Sequence, residues 1–295
     1  MPLDVIVVGG GAAGLMASGV AAELGKKVLL VEKNQRLARK VLITGKGRCN
    51  VTNNCDRDTF LRNVPGNSRF LYSAISQFSA QDTMDFFEQR GVPLKTERGS
   101  RVFPQSDKAY DIAAVLSSFA KSCGVQIRHA AATGLLIEDK KVVGIELDHG
   151  DKIAAASVIV ATGGLSYPLT GSTGDGYRFA QQAGHTIVPL TPSLVPLVVK
   201  EQWCSKLQGL SLKNVLLTVT DRQDGKRVFQ EQGEMLFTHY GISGPLVLSA
   251  SSHLREMRPE RYRIAIDLKP ALTPEQLDTR ILRDFELFKN KDFSN

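Results

Sequence analysis

The chain has 295 residues, of which 42% are hydrophobic, so it is long enough for one large domain or two ordinary ones with apolar cores. Its net charge of +7 permits an acidic partner without requiring one. The four cysteines lack a CxxC spacing and there is no 18-residue apolar run or basic leader, so we expect no zinc site, no disulfide framework, no membrane partner and no secretion, but a cytoplasmic protein.

A β-strand, a helix and a second strand are predicted at the start of the chain. DVIVV (4–8) is a buried β-branched run, residues 12–25 form a small helical segment that ends on glycine, and KVLLVEK (27–33) is the second strand. Between the first strand and the helix lies a GxGxxG sequence made by Gly9, Gly11 and Gly14. The first glycine allows the turn, the second lets a pyrophosphate approach and the third lets helix and strand pack closely.

Glu32 ends the second strand, where a carboxylate accepts hydrogen bonds from the ribose hydroxyls of a dinucleotide. This combination predicts dinucleotide binding, and the alternative is a glycine-rich turn used only for packing. The fingerprint alone does not separate FAD from NAD.

A basic segment follows, with eight cations and two acids between Arg36 and Arg69. Within it lies GKGRCNVTN, the loop from Gly45 to Asn53, near the edge of the sheet where α/β proteins bind ligands. Gly45 and Gly47 leave backbone amides free for an anion, and Lys46 and Arg48 add charge. A diphosphate, a flavin or a nucleic-acid phosphate would suit this loop, and a solvated basic loop is the alternative.

The remaining elements define three predicted regions. Residues 82–91 and 109–124 are predicted helices, residues 125–146 short strands, and ASVIVATGG (156–164) a third buried strand that ends in a glycine turn. Such a turn is typical of two-dinucleotide-fold flavoproteins but also occurs as an ordinary strand exit. We divide the chain into a Rossmann-like domain (1–190), a mostly antiparallel β-rich domain (191–269) and the start of a helical segment (270–295). That last helix carries an apolar stripe without a predicted partner: Leu277, Ile281, Phe285 and Phe288.

Five stretches together resemble the BaiN/RdsA-type (YhiN-like) family of NAD(P)/FAD-dependent oxidoreductases. They are VVGGGAAGLMAS, RKVLITGKGRCNVTN, VIVATGGLSYPLTGSTGDGYRFAQQAGH, PLTPSLVPL and LFTHYGISGPLVL. GRCN and THYGISGP are the most diagnostic, since neither is a general nucleotide motif.

The resemblance implies an α/β fold, with a two-dinucleotide-binding-fold FAD domain and a β-rich inserted domain, and FAD as the bound cofactor with NAD(P)H as electron donor. Members are associated with reduction of steroid enones and of uridine in large-subunit ribosomal RNA, and another branch with aminoacetone oxidation. By motif match, the expected FAD contacts are Gly9, Gly11, Ala12, Ala13, Gly14, Glu32, Lys33, Lys40, Gly45, Gly47, Arg48, Cys49, Asn50, Ala161, Thr162, Gly163 and Gly164.

Reduction of a conjugated C=C bond needs hydride from the flavin and an acid that protonates the second carbon. Cys49 and His239 are the predicted proton donors, and we expect the neighbouring Arg48 to lower the pKa of Cys49. The expected substrate is uridine in ribosomal RNA, to which the basic segment would contribute phosphate contacts. The alternatives are a small enone or amine substrate.

Proteins similar to this one usually continue for about a hundred residues and end with a strand and a helix start that cover the flavin. No such pattern follows Tyr262, so we expect a chain truncated at its C-terminus with ELFKNKDFSN as a foreign tail. An inactive remnant of the FAD fold, without cofactor or binding only RNA, is the corresponding alternative.

Overall fold

A computed structural model describes residues 2–291, and the chain divides into two compact units between Val188 and Pro189. The first unit is α/β and the second is mainly antiparallel β. The predicted α/β fold class, with a Rossmann-like unit and an additional β-rich unit, is confirmed. The helix predicted after residue 270 lies in the second unit, and residues 292–295 of that predicted region lie outside the described residues.

The first unit alternates strands and helices. Its elements are β1 (Leu3–Val8), α1 (Ala12–Glu23), β2 (Val28–Glu32), α2 (Arg39–Ile43), β3 (Thr52–Asn53), α3 (Arg57–Arg62), α4 (Tyr72–Gln77), α5 (Ala80–Glu88), β4 (Leu94–Glu97), β5 (Arg101–Pro104), α6 (Ala109–Ser122), β6 (Gln126–His129), β7 (Ala132–Glu138), β8 (Lys141–Leu147), β9 (Lys152–Val160) and α7 (Asp175–Gln182).

The main sheet has six strands in the order β6-β2-β1-β9-β8-β7. The strands β6, β2, β1 and β9 are parallel, and β8 and β7 continue the sheet antiparallel. Because β2, β1 and β9 are parallel neighbours, all three end at the same edge of the sheet. This is the edge at which parallel α/β sheets bind ligands.

Two apolar cores cover the faces of this sheet. On one face α1 packs against α6, with Leu15 and Phe119 buried among side chains of β1 and β2. On the other face Phe179 of α7 is fully buried against Ile6 and Leu29. The strand β9 is less buried than its sequence predicted, since Ala156, Ser157, Ile159 and Val160 are exposed within the described residues.

The second unit contains β10 (Leu197–Val198), α8 (Trp203–Lys206), β11 (Ser211–Asp221), β12 (Arg227–Thr238), β13 (Gly241–Ser243), α9 (Pro245–His253), β14 (Tyr262–Asp267) and α10 (Pro274–Phe288). Its strands form one antiparallel sheet in the order β10-β13-β12-β11-β14. The stretch THYGISGP supplies the end of β12, the short strand β13 and the start of α9. The helix α10 begins with a capping box between Thr273 and Gln276, and none of its residues is buried.

Candidate functional site

A cavity of about 560 Å³ opens in the first unit where β1, β2 and β9 end. Its size is that of a typical cofactor or ligand pocket. The residues predicted as FAD contacts that line it are Gly9, Gly11, Ala12, Ala13, Glu32, Lys33, Lys40, Cys49, Asn50, Ala161, Thr162 and Gly163. These residues come from four separate parts of the sequence, and the strand order brings them to one place.

The three glycines of the turn after β1 have different surroundings. A Cβ atom on Gly14 would lie 1.8 Å from the carbonyl oxygen of Gly9, and one on Gly9 would lie 2.5 Å from that of Ala161. A Cβ atom on Gly11 would meet nothing within 4 Å. Gly9 and Gly14 are therefore required for packing, whereas the missing side chain of Gly11 leaves open space at the cavity.

The N-terminus of α1 is uncapped at this point. Its N-cap residue is Gly11, no side chain accepts a hydrogen bond from its first amides, and its first turn carries no acidic residue. The amides at the start of a helix are electropositive and bind phosphates. The structure thus leaves this helix end, beside Ala12 and Ala13, suited to a diphosphate.

Glu32, at the end of β2, is 8% exposed and lies at the cavity wall. One carboxylate oxygen accepts a hydrogen bond from the amide of Gly10 at 2.6 Å, and the other accepts one from the amide of Asn34 at 2.8 Å. These bonds fix the carboxylate beside the glycine turn. The second oxygen also accepts a hydrogen bond from the side-chain amide of Asn34 at 2.5 Å, so the lone pair that remains for a hydroxyl donor lies on the oxygen bonded to Gly10.

A segment after β9, residues 163–175, forms a strap along one wall of the cavity. Lys33 donates to Thr173 and Asp175, at 2.6 Å each, and Lys40 donates to Ser166 at 3.2 Å. Burial raises the pKa of Asp175, but the hydrogen bonds from Lys33 and Thr173 outweigh it and leave that pKa below the ordinary value. The strap is therefore held by an ionised pair at neutral pH.

Arg48 does not line the cavity. Its guanidinium pairs with Glu97 and Asp107 and stacks on the ring of Phe103, 4.1 Å from the centroid. These bonds raise the pKa of Arg48 and lower the pKa values of both carboxylates. Arg48 thus holds the GKGRCN loop to β4 and the β5–α6 connection.

Cys49 is buried and lines the cavity, with a left-handed backbone at φ 61°. Burial raises the pKa of its thiol above the ordinary value, and the hydrogen bond with Thr44 lowers it by less. The prediction that Arg48 lowers this pKa is wrong, because the guanidinium is neutralised by its two carboxylates. Cys49 is a protonated thiol at neutral pH.

The other predicted residues lie apart from the cavity lining. Gly14 is buried beneath the turn, and Gly45, Gly47 and Gly164 are not among the lining residues. His239 lies in the second unit between β12 and β13, with its ring edge-on to Tyr240 at 4.6 Å.

Sequence reasoning missed several lining residues, among them Asn34, Phe78, Gly171, Ser172 and Asp175. Gly171, Ser172 and Asp175 belong to the glycine-rich stretch GSTGDG, which was their sequence signal. That stretch was not assigned to the site because it follows a proline-containing loop and not a strand. Phe78 follows α4 and gave no signal, because an aromatic residue after a polar helix looks like ordinary packing.

The lining fits FAD. Uncapped helix amides suit its diphosphate, the fixed carboxylate of Glu32 suits ribose hydroxyls, and Phe78, Phe86 and Leu116 supply apolar wall for a ring system. The hydroxyl oxygen of Thr162 is also buried at the lining without a hydrogen-bond partner among residues 2–291. Such an atom is expected to bond to a ligand.

Comparison with known proteins gave one family and several relatives. The HI0933-like protein Rossmann domain model matches residues 3–249. The chain is 31% identical over 276 residues to the 3-dehydro-bile acid delta(4,6)-reductase of Clostridium scindens, covering 92% of this chain and 66% of the reductase. It is 32% identical over 273 residues to the ribosomal RNA dihydrouridine synthase of Escherichia coli, covering 90% of this chain and 64% of the synthase.

A solved structure supports the fold. The open conformation of a flavocytochrome c3 fumarate reductase aligns with a TM-score of 0.54 at 20% identity, covering 75% of this chain and 53% of that one. The chain spans just under two thirds of the length of these two curated relatives. None of the helices described in residues 2–291 is long and apolar enough to cross a membrane.

Proposed function

The chain belongs to the HI0933-like family, and on that premise we propose that it is an FAD-dependent oxidoreductase that reduces a conjugated C=C bond with electrons from NAD(P)H. A bile acid reductase and a dihydrouridine synthase perform the same class of reaction, since each adds two hydrogens across a C=C bond conjugated to a carbonyl. The substrate we propose is uridine in large-subunit ribosomal RNA.

One observation carries this proposal: the uncapped start of α1, the fixed carboxylate of Glu32 and the buried thiol of Cys49 all line one cavity. The first two are suited to the diphosphate and ribose of a dinucleotide. The third is a proton donor in the same enclosed space. A packing-only glycine turn requires none of this arrangement.

Bound FAD would supply hydride to one carbon of the double bond. We assign to Cys49 the proton for the other carbon, because its thiol is buried at the lining and holds its proton at neutral pH. The amides of the α1 N-terminus would bind the diphosphate, and Glu32 would orient the ribose. Lys33 would hold the strap of residues 163–175 in place through Asp175. His239 stays the alternative proton donor predicted from the sequence.

The choice of RNA rests on charge. The chain carries +7 overall, and the segment from Arg36 to Arg69, whose start lines the cavity, holds eight cations against two acids. Such an excess favours a polyanionic substrate. A small apolar enone is the second candidate, and the aromatic wall made by Phe78, Phe86 and Phe87 favours it.

An absorption spectrum of the purified chain, before and after incubation with FAD and gel filtration, tests the cofactor. We expect a retained flavin band, and a colourless protein after FAD incubation would contradict the proposal.

Anaerobic incubation with NAD(P)H and unmodified large-subunit ribosomal RNA tests the substrate. The RNA is then digested to nucleosides, which are analysed by mass spectrometry. We expect uridine that has gained two hydrogens. Turnover of a steroid enone with no change in RNA would favour the second candidate.

A further inference from the structure

The segment from Asp56 to Phe78, which contains α3 and α4, is largely exposed and ends at the cavity. No residue between 51 and 79 is buried, although this stretch includes two helices and a 3₁₀ turn. Its apolar side chains therefore do not serve a core. Exposed apolar groups concentrated in this way mark a binding surface.

Two aromatic rings stand out on this segment. Phe70 is 80% exposed, and Tyr72 is 51% exposed with the guanidinium of Arg57 4.8 Å from its ring centroid. Arg57 also donates to Ser76 on α4, which ties α3 to α4. An exposed ring and an arginine-stacked ring on one polar surface are the features on which nucleic-acid bases stack.

Cations available for phosphates accompany these rings. Arg62 and Arg69 are exposed and form no ion pair with an acidic side chain in residues 2–291. The two acids of the segment are engaged: Asp56 caps α3 through the amide of Thr59, and Asp58 pairs with Arg57. The charge that the segment offers to a partner is thus positive.

The segment leads directly into the cavity. Phe78, its last residue, is 41% exposed and is also part of the cavity lining. A nucleotide chain bound along α3 and α4 would therefore have one base within reach of the site. A base must leave its stack to react in such a pocket, which favours single-stranded RNA over a duplex.

We propose that α3, α4 and the turn between them form the docking surface for single-stranded RNA, with Phe70 and Tyr72 as stacking platforms and Arg62 and Arg69 as phosphate contacts. This inference rests on the proposed function, which it extends by naming the surface that holds the substrate outside the cavity.

Fluorescence anisotropy with a labelled, uridine-containing single-stranded RNA tests the surface, at several salt concentrations. Phe70→Ala is expected to weaken binding about tenfold, within the range for loss of one base stack. The double variant Arg62→Ala/Arg69→Ala is expected to reduce the slope of log K against log salt by about 1.4, which is 0.7 for each lost phosphate contact. A duplex of the same sequence should bind more weakly than the single strand.

The matched control is Phe288→Ala/Lys291→Ala, which removes an exposed cation and ring pair from the end of α10 in the second unit. It should leave RNA affinity unchanged. Equal losses in this control, unchanged affinity in both surface variants, or binding to anionic phospholipid vesicles in place of RNA would each overturn the proposal.

Flavin absorbance measured on the same samples separates the two proposals. Wild-type protein that retains FAD but shows no RNA affinity dependent on Phe70 removes the docking surface and leaves the oxidoreductase. RNA binding that depends on Phe70 in a protein unable to retain FAD removes the oxidoreductase and leaves the surface.

Discussion

Gly11 and Gly14 belong to the same motif, but the structure has room for a methyl group at Gly11 and none at Gly14. A Cβ atom at position 14 would overlap the Gly9 carbonyl, whereas one at position 11 would lie in open space at the cavity. Gly14→Ala should therefore destabilise the fold by about 1–3 kcal/mol through overpacking. Gly11→Ala should leave the melting temperature unchanged and weaken FAD binding by about tenfold or more, because the methyl group occupies the path of the pyrophosphate.

Thermal unfolding without ligand and FAD titration of both variants check this difference. A Gly11→Ala protein that binds FAD with wild-type affinity would show that the diphosphate does not approach the turn.

Cys49 has the environment of a proton donor and not of a nucleophile. Because its pKa is raised, the thiol keeps its proton through neutral pH, and the rate should fall only at a pH above the ordinary range for cysteine. Cys49→Ala should lower turnover by about 10²-fold or more while the flavin spectrum is retained, and Cys49→Ser should recover part of the rate.

The control for Cys49 is Cys204→Ala, which removes another buried thiol of raised pKa, in the core of the second unit. Turnover in this variant should match wild type. Full activity in Cys49→Ala would rule out the thiol and direct attention to His239.

At the scale of elements, the strap after β9 is joined by side-chain bonds to the residues that follow β2. Lys33 at the end of β2 binds Asp175 at the start of α7, and both side chains are about a third exposed or less. Loss of this partly screened pair should cost about 1 kcal/mol, which corresponds to roughly fivefold faster FAD release. Lys33→Met and Asp175→Asn should show the same effect in stopped-flow fluorescence.

Agreement between these two variants is decisive, because Asp175→Asn leaves the ammonium of Lys33 in place. Faster release in Lys33→Met alone would mean that Lys33 contacts FAD directly and that the strap does not restrain it. Arg128→Met, which breaks the exposed pair with Asp151, is the control and should leave FAD release unchanged.

The pKa of Asp175 is lowered, so its pair with Lys33 should hold the strap throughout the ordinary aspartate titration range and above it. The strap should be released only as the pH falls through the lowered pKa of Asp175.

The sequence was sufficient for elements whose cause is local. The strand, glycine turn and helix of residues 3–23 follow from apolar pattern and turn chemistry within one short stretch. The orientation of Arg48 could not be predicted, because its partners Glu97 and Asp107 are 49 and 59 residues away. For the same reason the raised pKa of Cys49, a consequence of tertiary burial, was missed, and so was the position of Asp175 at the cavity.

At the scale of the whole molecule, the cavity and its lining lie within the first unit, while the second unit has its own core around Leu217, Val219 and Val247. A ligand that binds only the folded first unit stabilises that unit by mass action. The second unit contributes no residue to the lining described for residues 2–291. FAD binding should therefore raise the free energy of unfolding of the first unit more than that of the second.

Hydrogen exchange followed by mass spectrometry tests this linkage. FAD at 100 times its dissociation constant adds about 2.7 kcal/mol to the unit that binds it, so the slowest amides of β1, β2 and β9 should gain about 100-fold protection. Amides of β11 and β12 should exchange at the same rate with and without FAD. The Gly11→Ala variant at the same FAD concentration should show little gain in either unit, because its binding is weakened without loss of packing. An equal gain in β11 and β12 would contradict the assignment, since it would require FAD to stabilise the second unit as strongly as the unit that carries the cavity.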